Sequence, residues 1–92
     1  MIKSFRCKET EKLFNDQSSK KFATIERVAR RKLEMLEAAQ RLEDLRNTPG
    51  NRLELLKGNR TWQHSIRIND QFRICFRWID SAAENVEIVD YH

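Results

Sequence analysis

The chain has 92 residues, with 18 basic against 14 acidic side chains and a formal charge of +4. That length fits one domain over residues 1–92, with a small core and a surface site but no deep enclosed cavity. No segment approaches the roughly twenty apolar residues that a membrane helix needs, so no membrane-spanning helix is expected.

In chain order, Met1–Arg6 is expected as a short first strand, and residues 8–16 as a short helix anchored by Leu13 and Phe14. Asp16 to Lys21 is polar and reads as a loop. Thr24 is a plausible N-cap for a long helix ending near Arg46. Its apolar stripe is Ile25, Val28, Ala29, Leu33, Leu36, Ala39, Leu42 and Leu45. Glu26, Arg30, Lys32, Glu34, Glu37, Arg41 and Asp44 make the opposite, solvated face. Asn47-Thr48-Pro49-Gly50 stops the helix and turns the chain, after which Leu53–Leu56 starts a sheet. Gly58 and Asn59 break it again.

Two alternating runs follow. Ile66 and Ile68 alternate with Ser65 and Arg67; Phe72, Ile74, Phe76 and Trp78 alternate with Arg73, Cys75 and Arg77. A loop of Asn69-Asp70-Gln71 pairs Ile68 with Phe72 and Ile66 with Ile74, and sets Arg67 across from Arg73. Like charges directly opposite are destabilising, so an anion such as a phosphate backbone is the expected guest. An ordinary solvated arginine face is the plain alternative. Asp80–Ala83 reads as a turn, and Val86, Ile88 and Asp90 alternate with Glu87, Val89 and Tyr91 in a final strand. The order predicts an α+β domain, two helices packed on a small twisted antiparallel sheet.

Positions 67, 73 and 77 share one face, and Tyr91 has the parity to join them. Lys57 and Arg60 lie in the loop leading into the hairpin, and His92 ends the sequence. Residues 57–77 hold Lys57, Arg60, Arg67, Arg73 and Arg77 against the single acid Asp70. A field of that sign favours nucleic acid, or else an acidic protein. The expected site is a concave basic surface with a phenol and two imidazoles, His64 and His92. It suits RNA cleavage by attack of the 2′-hydroxyl on its own phosphate, which needs a base, an acid and cations. Histidine can move the protons, arginine can grip phosphate bidentately, and a tyrosine face can stack on a splayed base. The histidines lack zinc-ligand spacing, and no glycine-rich phosphate loop or cofactor motif is present. No metal and no cofactor are therefore expected. Met1–Arg6 has no long apolar stretch, so no signal peptide is expected. Cys7 and Cys75 are read as reduced thiols in a cytoplasmic protein.

The chain resembles HigB-type toxins, close to the GraT-like members, of the RelE/ParE toxin superfamily. The likeness lies in Met1–Phe5, Leu45-Arg46, Pro49–Leu53, Leu56-Lys57-Gly58, His64–Arg73 and Val86–His92. It implies a compact α+β toxin of a type II toxin–antitoxin system that enters the ribosomal A site and cuts messenger RNA there. It also implies a helix-turn-helix antitoxin partner of the HigA or GraA kind, with DNA contacted only indirectly through that antitoxin. By motif match, the resemblance ties Lys57, Arg73, Tyr91 and His92 to cleavage. Arg60, His64, Arg67 and Arg77 are expected to bind RNA or the ribosome. Superfamily membership does not fix activity. A ParE-like inhibitor of DNA gyrase and a non-catalytic RNA-binding module are the alternatives.

Overall fold

In the computed structural model, which describes residues 1–91, three helices precede a four-stranded antiparallel sheet. The helices are α1 (Lys8–Phe14), α2 (Glu26–Ala38) and α3 (Leu42–Arg46). The strands, β1 (Glu54–Leu55), β2 (Gln63–Arg67), β3 (Phe72–Ile79) and β4 (Ala82–Asp90), lie side by side in chain order. Helices segregated from an antiparallel sheet make the α+β architecture that the sequence pattern predicts.

The central hairpin takes the register its alternation demands, with Ile66 opposite Ile74 and Arg67 opposite Arg73. Any one-residue slip would drive arginine into the core. Asn69 shapes the turn: its Oδ1 accepts the backbone N–H of Gln71 at 2.9 Å and of Phe72 at 2.7 Å. The even-numbered hairpin residues Ile66, Ile68, Ile74 and Phe76 pack with Leu13 of α1 and with Leu33 and Leu36 of α2 in one buried cluster. Val86 and Ile88 join it from β4. No helix among the described residues is long and apolar enough to cross a membrane.

Several elements differ from expectation. Met1–Arg6 is not a strand; it touches β4 through two isolated parallel bridges, Ile2 with Ala83 and Phe5 with Val86. Between them the Ser4 hydroxyl accepts the Asn85 N–H, at the place where the pairing of β3 with β4 shifts register. Thr24 does not cap the long helix, because it lies inside a 3-10 turn, Ala23–Ile25, and α2 begins at Glu26. The long helix is itself broken. Ala39 is extended, and the Asp44 carboxylate accepts the Gln40 and Arg41 N–H groups that helix continuation would have used. The stripe still continues through Ala39 and Leu45, both buried, so the periodicity reports the buried face across the break.

Lys32 is not on the solvated face. It is buried and donates to Asn51 Oδ1, while Asn51 Nδ2 donates to the Leu45 carbonyl at 3.1 Å. This pair clamps the turn after α3 onto α2, and burial pushes the Lys32 amine's pKa down, with Arg31 and Arg67 adding to the effect. Finally, the last hairpin turn is only Asp80-Ser81, at φ 50° and 64°. Positive φ at both positions matches the twist of the flanking strands. Ala82 and Ala83 are thereby freed to enter β4, where they are buried.

Candidate active site

Strand alternation decides which side chains meet. With Ile74 and Phe76 turned to the helices, Arg73, Cys75 and Arg77 belong to the opposite face. Pairing carries Arg67, Ser65 and Gln63 of β2, Glu54 of β1, and Glu87 and Val89 of β4 to the same side. This face has two halves. Toward Gln63 it is closed: Ser65 and Cys75 are fully buried there, and Leu56 and Gln63 nearly so. The segment between β1 and β2 covers them, and its Arg60 reaches across to β4. Toward the Asn69 turn the face is open, and there the charged groups gather.

Arg67 and Arg73 stand directly opposite each other, as the pattern predicts. Their repulsion is relieved within the chain. Arg67 Nη2 donates to Asp70 Oδ1, and Arg73 Nη1 donates to Glu54 Oε1 at 3.2 Å. The Arg67 contact holds the Asp70 carboxyl below its ordinary pKa. The Arg73 guanidinium also lies 4.9 Å from the centroid of the Tyr91 ring, within cation–π range. Tyr91 is anchored by its backbone N–H, which donates to the Gln71 carbonyl at 2.6 Å. Arg73 is thus held by a carboxylate and by an aromatic face, with its side chain only 17% exposed.

A second ion pair lies further along. Arg60 Nη1 donates to Glu87 Oε1 at 2.7 Å and to Gln63 Oε1 at 3.1 Å. The Glu87 bond is the main reason the Arg60 pKa is raised. Arg6 approaches the same carboxylate at 4.0 Å. Lys57 is exposed at the start of the 3-10 turn Gly58–Arg60. Arg77 is exposed opposite Gln63, four strand residues from Arg73, or roughly 13 Å away.

His64 is not with them. It pairs with Phe76, stacks on that ring with centroids 6.1 Å apart, and lies on the helix-covered face. The expected second imidazole is missing from the basic surface for a reason of parity: residue 64 is even, like Ile66, and even positions on β2 point to the helices. Its Nδ1 is buried without a partner, and desolvation, with Arg46 contributing, lowers its pKa. His92 lies outside the described residues. Cys75 is on the arginine face but buried, and burial pushes its thiol to about 11, so it is protonated at neutral pH. Both cysteines are free thiols.

Glu54 and Glu87 lie on this face and pair with its arginines, which the linear reading missed. The basic window 57–77 excluded both, yet pairing places one opposite Ser65 and the other opposite Cys75. A sequence signal existed for Glu87, which shares parity with Tyr91 on the last strand. Chemically, the open face offers one well-held guanidinium, a phenol stacked on it, a carboxylate bonded to it, and further cations at its rim.

A HigB-like family model, described as the RelE-like toxin of the type II toxin–antitoxin system HigB, matches residues 3–92. Toxin HigB-1 of Vibrio cholerae serotype O1 is 42% identical over 87 residues, covering 92% of this chain and 92% of that protein. An uncharacterized protein of Haemophilus influenzae is 34% identical over 73 residues, covering 79% of this chain and 72% of its own length. Among solved structures, the heterotetrameric YoeB–YefM toxin–antitoxin complex of Staphylococcus aureus contains a chain that superimposes with a TM-score of 0.62 at 20% identity, covering 100% of this chain and 98% of that one. A second YoeB–YefM structure from the same organism gives 0.58. At that identity the structural likeness speaks to the fold, a RelE-like one. The chain belongs to the HigB-like toxins of type II toxin–antitoxin systems.

Proposed function

We propose that this toxin is a metal-independent endoribonuclease that cuts messenger RNA in the ribosomal A site and so stops translation in the cytoplasm. The observation that carries this reading is the mounting of Arg73, with Glu54 bonded to one side of its guanidinium and the Tyr91 ring stacked against it. An incoming phosphate competes with Glu54 for the guanidinium. Arg73 then stabilises the negative charge that builds on the phosphate as the 2′-oxygen attacks. The released Glu54 carboxylate lies at the same place and accepts the 2′-hydroxyl proton. Tyr91 and His92 serve at the leaving-group side or stack on the exposed base. Lys57, Arg60, Arg67 and Arg77 line the route of the RNA backbone. His64, on the other face, supports the sheet.

The open face is shallow and does not enclose an RNA strand, so the ribosome supplies the missing wall and presents the codon. The partner in the resting cell is a helix-turn-helix antitoxin of the HigA kind, and only that antitoxin touches DNA. A toxin–antitoxin assembly of this general type is what the Staphylococcus aureus YoeB–YefM structures describe for their own chains. Primer extension on a translated message tests the reading. Cuts within or beside A-site codons are expected only when toxin and ribosomes are both present. Equal cutting of naked and translated RNA rejects the ribosome requirement. No cutting, together with loss of supercoiling by purified gyrase, transfers the protein to the ParE-like mode.

A further inference from the structure

Trp62 is 76% exposed, the most exposed of the large hydrophobic residues. Its backbone sits at φ 77°, a left-handed conformation that a bulky side chain adopts only under strain. Scattered exposed apolar residues need no explanation, but an exposed indole on strained backbone is a different matter, since such strain gathers at binding and catalytic sites. The position is the hinge between the Gly58–Arg60 turn and β2. Here the chain must reverse so that Leu56 N–H can donate to the Gln63 carbonyl at 2.8 Å. Glycine would meet that requirement without cost. The tryptophan ring therefore adds nothing that the turn itself requires.

The surroundings select the ligand. From Leu55 to Asn69 the chain has no acidic residue; Lys57 is exposed there, while Arg60 and Arg67 carry their charge in pairs with Glu87 and Asp70, which a phosphate backbone can displace. Aromatic rings set among cations are the elements of single-stranded nucleic-acid binding. Trp62 adjoins Gln63, which pairs with Arg77, and so lies roughly 13 Å or more along the sheet from Arg73. That separation is the length of a few nucleotides of extended strand. We propose that Trp62 is a stacking platform for an unstacked RNA base flanking the cut, a binding position separate from the chemistry at Arg73. This rests on the nuclease reading for the identity of the strand, but not for the stacking itself.

The test compares the full-length protein with Trp62→Gly and Trp62→Phe. Binding is measured to a short unstructured oligoribonucleotide and to a backbone of equal length whose residues lack bases. Trp62→Gly should bind the oligoribonucleotide at least about fivefold more weakly, as expected for one lost stacking contact, and the abasic strand unchanged. Trp62→Phe should recover most of the loss. Trp62→Gly should melt close to the wild type, because relief of the left-handed φ offsets the backbone freedom that glycine adds to the unfolded chain. A structural role for the ring would lower stability markedly together with binding, and that result overturns the proposal. So does equal binding of wild type and Trp62→Gly, an equal loss on both strands, or a loss of antitoxin binding with RNA binding intact. Vacant and message-programmed ribosomes separate the sources: a defect on programmed ribosomes alone assigns the base to the message, and one on both assigns it to ribosomal RNA. If wild type fails to cut translated message yet base-dependent binding still needs Trp62, the nuclease reading fails and the stacking site stands.

Discussion

The two faces of one sheet do different work with the same strands. On the helix side, Ile66, Ile74 and Phe76 are fully buried in the apolar cluster, where Phe76 also stacks on His64. On the other side, Arg67, Arg73 and Tyr91 are tied by ion pairs and a ring contact at partial exposure. Burial on the first face supplies the stability that lets the second keep two opposed arginines. Pairs at partial exposure contribute little to folding. Changes on the two faces should therefore separate stability from activity.

The largest effect expected is on the buried face. Phe76→Ala should cost about 3–5 kcal/mol in a urea or thermal unfolding experiment, much of the stability of a domain this small. Its toxicity should fall because the folded population falls. Arg73→Ala is the counterpart. It should unfold near the wild-type midpoint and retain a native circular dichroism spectrum, yet lose about 10²–10³ in cleavage rate and with it growth inhibition. A folded, fully toxic Arg73→Ala variant would remove Arg73 from the site and erase the contrast between the faces.

The chain end sharpens the comparison because β4 serves both faces. Val86 and Ile88 anchor it in the core, and Tyr91 reaches Arg73 on the other side. Deleting Tyr91 and His92 should leave a stable protein that still binds antitoxin but no longer cuts message. Tyr91→Phe then sorts the phenol's role: proton transfer makes the change harmful, whereas pure stacking makes it nearly neutral. Full activity in the folded truncation would place the chemistry elsewhere.

The smallest effect concerns His64 and pH. Burial holds the folded imidazole below its ordinary 6.5, so the unfolded chain binds the proton more tightly. Stability is then fully present above pH 6.5 and is lost as pH falls through the folded pKa. The depressed carboxylates Glu9, Asp44 and Asp70 start from 4.5, 3.8 and 3.8 and act only in stronger acid. Melting temperature against pH should therefore slope downward below 6.5 in the wild type and flatten in His64→Phe. A cleavage defect in His64→Phe at constant stability would return His64 to the RNA-binding set.

Much of this was legible in the chain itself. Period-two alternation in 65–78 determined the hairpin, its register and the opposition of Arg67 and Arg73, because any slip buries a guanidinium. The same parity carried Tyr91 to Arg73. It also excludes His64 from that face, although the residue reading had counted its imidazole there. The helical stripe picked out the apolar face from Ile25 to Leu45, with Val28 and Leu42 only half-buried on it, since an apolar face must be covered wherever the backbone runs. Three things were decided only by tertiary structure. The break at Ala39–Arg41 has no proline or glycine to announce it; the Asp44 carboxylate, which caps the next helix, makes it. The burial of Lys32 depends on Asn51, nineteen positions later, arriving as its acceptor. The charge of the site depends on Glu54 and Glu87, which pairing brings from outside the basic stretch. Local pattern governs which way a side chain points, because that is set by the geometry of its own backbone. Which charge it meets there is set by strands and turns distant in sequence, and only the folded sheet brings those together.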